Sequence, residues 1–162
     1  MLSADELRRL EALLRNELEA WETLEARTRE HHDALLAGEA AGVERTLRAQ
    51  VGAVATAREH SEARVAVTRA LGEALGEGTS CTLGRLLGAL PDGDDALRRI
   101  QQALRASAER LGELNAANRR LSEHRLDLLQ GDFAALQAML AAATGGTDDG
   151  RPVEGSLLSL RA

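Results

Sequence analysis

The large apolar side chains near the start of the chain fall at positions 7, 10, 14, 18, 21 and 24, in steps of three and four. Because a helix turns about 100° per residue, that spacing gathers them into one stripe. The same rhythm recurs along most of the sequence, so the chain is confined to helices that meet along narrow seams. Composition narrows the choice further. Trp21 and Phe133 are the only aromatic residues and tyrosine is absent. A core must then be built from leucine, alanine and valine, which suits helix packing better than a β-sandwich.

Charge and cysteine content exclude several function classes. The net charge is −6, and the twenty basic residues, all arginine, are interspersed with twenty-six acids, so no basic stripe exists for phosphate. The all-arginine usage reads as nucleotide bias of a GC-rich genome. Cys81 is the single cysteine, which rules out an intrachain disulfide and points to a reducing compartment. No signal-type apolar region follows Met1 and no apolar run approaches the roughly 20 residues that span a bilayer. The expectation is a soluble, cytoplasmic protein.

Start and stop signals place the elements. Ser3-Ala4-Asp5-Glu6 has the capping-box form and Gly38 follows Leu35 and Leu36, giving a helix over about 4–37. A second helix, about 40–75, carries Val43, Leu47, Val51, Val54, Val65, Leu71 and Leu75. So short a connection forces an antiparallel hairpin. The middle of the second helix, Gly52 to Arg64, is poor in large apolar groups and is expected to pack through alanines or stay half covered. Thr82 can cap a short helix at 83–90, which Pro91 and Gly93 end, and Asp94 or Asp95 caps the next.

That last long helix, about 95–143, carries a seam of Leu97, Ile100, Leu104, Leu111, Leu114, Leu121 and Leu128. Asn118 occupies the core-type position between Leu114 and Leu121, with Asn115 beside it. A polar residue there sacrifices stability to fix helix register and partner number; the alternative is a tolerated polar residue on a half-exposed face. Gly131-Asp132 is a place for the helix to break and restart as Phe133 to Ala142. The predicted architecture is all-α: an elongated antiparallel hairpin or three-long-helix bundle of coiled-coil character over 1–143, with one short connecting helix. Residues 144–162 then read as a flexible linker, "TGGTDDGRPVEG", and a short apolar tail. Leu157, Leu158 and Leu160 in that tail either dock on the bundle or bind a partner.

Catalysis finds no footing. His31, His32, His60 and His124 are read as exposed helix-surface residues, since neighbours such as His31 and His32 point about 100° apart and cannot easily share a metal. No Glu-x-x-His pair or HExxH motif is present, Cys81 reads as a structural thiol, and a chain without lysine cannot form a Walker-type phosphate site. The sequence predicts neither an enzyme nor a cofactor.

The order of elements resembles the FlgN-type flagellar export chaperones. "LRRLEALLRNELEAWETLEA" leads into the helix-glycine-helix junction of "HDALLAGEAAGVERTLRAQ". Arg64 sits near the centre of the second helix, "TLGRLLGALP" follows, and "LNAANRRLSEHRL" carries an N-x-x-N-x-x-L run at Asn115, Asn118 and Leu121. The chain closes on a linker and an apolar tail ending in Arg161-Ala162. Glu39 stands where the family pattern has aspartate, and the tail lacks a tyrosine before its linker. The resemblance implies a cytoplasmic chaperone for the hook-associated proteins FlgK and FlgL. It would keep their terminal helices soluble before type III secretion and meet the export apparatus.

On that reading, cargo binding is expected at Leu129, Phe133, Leu136, Met139 and Leu140, together with Leu157, Leu158 and Leu160. Methionine and phenylalanine suit an adaptable groove. The competing expectation is that the five helix residues close the end of the bundle. From another class comes a homo-oligomeric coiled-coil scaffold, and both monomer and homodimer stay open.

Overall fold

A computed structural model describes residues 2–90 and 95–145, with the side chains of 144 and 145 left aside. The described residues form four helices and no strand: α1 (Ala4–Ala37), α2 (Ala40–Ala74), α3 (Leu83–Ala89) and α4 (Asp95–Gly145). The fold is all-α. The expected caps at Pro91 to Asp94 lie outside the described residues.

The local signals act as read. Ser3 Oγ accepts from the Glu6 amide at 3.2 Å while Glu6 Oε2 accepts from the Ser3 amide at 2.7 Å, closing the capping box on α1. Gly38 takes the left-handed conformation, φ 79°, which glycine adopts without a Cβ penalty, and its amide donates to the Ala34 carbonyl. Thr82 Oγ1 caps α3 by accepting from the Arg85 amide. Gly131 does not end α4, which runs unbroken to Gly145. The cost of one helical glycine is only ~1 kcal/mol, and Asp132 is held inside the helix.

The described residues divide into two compact units, one up to residue 122 and one from residue 123 onward. In the first, α1 and α2 form the antiparallel hairpin. One end of this unit is apolar: Leu10 and Leu14 of α1, Leu71 of α2, Leu83, Leu86 and Leu87 of α3, and Leu97 and Ile100 of α4 cluster together with Cys81. Gly72 makes this possible. A Cβ built there would lie 2.3 Å from that of Cys81, so only glycine lets the loop close against α2. A smaller cluster follows, in which Ala20, Leu24, Ala57 and Leu111 meet with Trp21 and Ala53 against them. The alanine packing expected for the middle of α2 is present.

Beyond these clusters the seam is polar, which the apolar spacing did not anticipate. On α1 the 3-4 rhythm continues through buried Glu17, Thr28 and His31. On α2 the buried line runs through Gly42, Ala57, Thr68 and Leu71, while Leu47, Val51, Val54 and Val65 are exposed. That corrects the stripe expected from valine spacing. Apart from the Thr68 hydroxyl, which is buried without a partner among the described residues, the polar side faces inward because its groups find partners there, which removes the main penalty for burying them. Glu17, 2% exposed, accepts from Ser61 Oγ at 2.7 Å and from Arg64 Nε at 2.6 Å, and Trp21 Nε1 donates to Ser61 Oγ. Glu25 accepts from Arg110 Nε and Arg29, which hold its carboxyl below the usual carboxylate range, Arg110 contributing most.

Candidate partner-binding site

Three of the four histidines, His31, His32 and His60, depart from the exposed placement expected of them, and His124 keeps it. His31 is buried and its Nδ1 lies 3.0 Å from Thr46 Oγ1. The single hydroxyl proton of Thr46 goes to the carbonyls of its own helix, at Gly42 and Val43, so His31 Nδ1 is the donor. Burial pushes the His31 pKa down. The His32 ring turns to α4 instead, where its Nδ1 meets Asn118 Oδ1 at 2.7 Å. Neighbouring imidazoles thus serve different helices, as their 100° separation requires. Among the described residues no group of three or more His, Cys, Asp or Glu could hold a metal ion.

Asn118 is buried and doubly held, with Nδ2 donating to the Thr28 carbonyl at 3.3 Å and Oδ1 accepting from His32. Asn115 is exposed and is not brought into this network. Thr28 Oγ1 also accepts from Gln50 Nε2 of α2, so the layer around Asn118 draws on all three long helices.

The unit from residue 123 onward is different in kind. Leu126, Leu129, Phe133, Leu136 and Leu140 follow one another in steps of three and four on α4, and each is more than half exposed, as is Met139 beside them. The only phenylalanine of the chain, 62% exposed, and its only methionine besides Met1 therefore face outward rather than filling the core. The seam expected to reach Leu128 fades before it, since Leu128 is also exposed. Leu126 was not singled out from the sequence, although its position three residues before Leu129 was the available signal. Leu157, Leu158 and Leu160 lie outside the described residues.

A largely hydrogen-bonded polar seam within residues 1–122 and an exposed apolar stripe on the helix beyond residue 123 are the two features that set this all-α chain apart. A model of the FlgN protein family matches residues 1–152, whereas no curated protein and no solved structure matches the chain. The chain belongs to the FlgN family of flagellar export chaperones, a chaperone family rather than an enzyme family. Among the described residues no helix is long and apolar enough to cross a membrane.

Proposed function

We propose that this chain acts in the cytoplasm as the export chaperone of the hook-associated proteins FlgK and FlgL, keeping their terminal helices soluble before secretion. The observation that carries the reading is the exposed stripe of Leu129, Phe133, Leu136, Met139 and Leu140 on one uninterrupted helix. Soluble proteins rarely leave such a row uncovered. A cargo segment that coils only after export is itself an amphipathic helix, and helix-on-groove docking buries both apolar faces. Leu157, Leu158 and Leu160 add a second apolar element that can close over the same cargo. Asn118 acts on register and not on cargo, while exposed Asn115 takes no part in its network.

The test is size-exclusion chromatography with light scattering, on the chain alone and mixed with a hook-filament junction protein from the same genome. A stoichiometric complex that Leu129→Asp with Phe133→Asp abolishes is the expected outcome. A self-contained oligomer that ignores the cargo would replace this reading with the homo-oligomeric scaffold. Truncation at Gly145 separates the helix from the tail, because unchanged affinity would remove Leu157, Leu158 and Leu160 from the site.

A further inference from the structure

The exposed valines of α2 lie on one flank of that helix. On its opposite flank Ala53, Thr56 and His60 line a hollow shared with Asn16, Ala20 and Thr23 of α1, so that side belongs to the hairpin. At 100° per residue Leu47, Val51, Val54 and Val65 fall on the other side of the buried line through Ala57, Thr68 and Leu71. Two hollows open there. One, of ≈ 300 Å³, is lined by Arg58, Ser61, Glu62, Val65 and Arg69. The second, of ≈ 490 Å³, has Trp21, Leu83, Leu104 and Ala108 as apolar walls and Arg64 and Arg105 at its edge. Ser61 of the first and Arg64 of the second, about one helical turn apart on α2, both bond the Glu17 carboxylate.

The charge of this surface says what fits it. Its lining carries four arginines, Arg58, Arg64, Arg69 and Arg105, against two glutamates, Glu17 and Glu62. Both glutamates are already paired, Glu17 with Arg64 and Glu62 with Arg58. Arg69 and Arg105 form no ion pair among the described residues, in a chain whose net charge is −6. A basic, apolar flank on an acidic protein is complementary to apolar groups edged by carboxylates. Leu47 to Val65 spans about five helical turns, enough for one docked helix.

We propose that this flank of residues 1–122 is a second docking surface, and that its occupant is an amphipathic helix of another protein whose apolar stripe is bordered by Asp and Glu. The proposal does not rest on the cargo reading, which concerns the stripe beyond residue 123. Leu47, Val51, Val54 and Val65 supply the apolar contact, and Arg69 and Arg105 select the acidic partner over a basic one. Trp21, the only tryptophan, lines the surface and reports its occupation.

The experiment titrates the full chain with two synthetic peptides of three heptads, both with leucine at a and d, one with glutamate at e and g and the other with arginine. Trp21 emission is followed. The expected result is saturable binding of the glutamate peptide, at least about tenfold tighter than the arginine peptide. Val51→Asp and, independently, Leu47→Gln should weaken it, and Arg69→Glu with Arg105→Glu should reverse the preference. Equal binding of both peptides, or none, overturns the proposal. So does binding lost in Leu129→Asp with Phe133→Asp but kept in Val51→Asp, which would place the peptide on the distal stripe. Displacement by a synthetic peptide of residues 146–162 would assign the flank to the chain's own tail. A dimer that Val51→Asp dissolves would assign it to a second copy.

Discussion

Glu17 is a carboxylate almost wholly removed from water, and its stability rests on Ser61 and Arg64. Replacing it with alanine leaves Ser61 and the half-buried Arg64 charge without their partner. The expected loss is about 3 kcal/mol, read as a lower midpoint in urea. His31 gives a prediction of sign. Its folded pKa is depressed by burial, so the unfolded chain binds a proton first as the pH falls. The stability it contributes is complete above the ordinary histidine pKa of about 6.5 and declines as the pH drops toward the folded value. Glu25, also depressed, adds a further loss on the acid side of the ordinary carboxylate range. Thermal melts between pH 7.5 and pH 5 should fall, and His31→Gln should flatten that slope without removing the step at lower pH. These roles were not legible in the sequence, because a polar residue at a seam position looks the same whether it meets a partner or water.

At the scale of elements, α2 is the instructive case. Its valines suggested one face and its hydrogen-bonding groups chose another, because Thr46, Gln50, Ser61 and Arg64 each bond a residue of α1. Polar complementarity between two helices cannot be read from either one alone. Gly72 fixes the approach of the loop at Cys81, and Gly72→Ala should cost about 2 kcal/mol through the clash with that side chain, measured by thermal unfolding. Asn118 tests the register reading of the N-x-x-N-x-x-L run. Asn118→Leu is expected to raise the melting temperature, since leucine gains burial and His32 is only partly buried and can turn to water. It should also loosen the register or oligomeric state seen by light scattering; a plain loss of stability with no change of state would contradict the role. Asn115→Leu should have little effect, as that side chain is exposed.

At the scale of the whole molecule, the first unit keeps its large apolar groups at one end, around Leu14, Leu86 and Leu97, and a polar seam through Thr28, His31 and Asn118 elsewhere. Buried polar contacts contribute less net stability than apolar burial, since each exchanges one hydrogen bond for another. Amide exchange should therefore be slowest around Leu14 and Leu97 and faster around Thr28 and Asn118; uniform protection would refute the gradient. The sequence by itself determined the helices, their caps at Ser3 and Thr82, the turn at Gly38 and the apolar stripe at Leu129 to Leu140, because periodicity, capping and left-handed backbone are local properties. It also carried the order of elements that marks the FlgN family. The tertiary structure decided which face of α2 is inside, that His31 is buried, that Asn118 and not Asn115 is engaged, and that Phe133 faces solvent. Each of those depends on which side chains a second helix brings within hydrogen-bonding or packing distance, and periodicity along one helix carries no information about its neighbour.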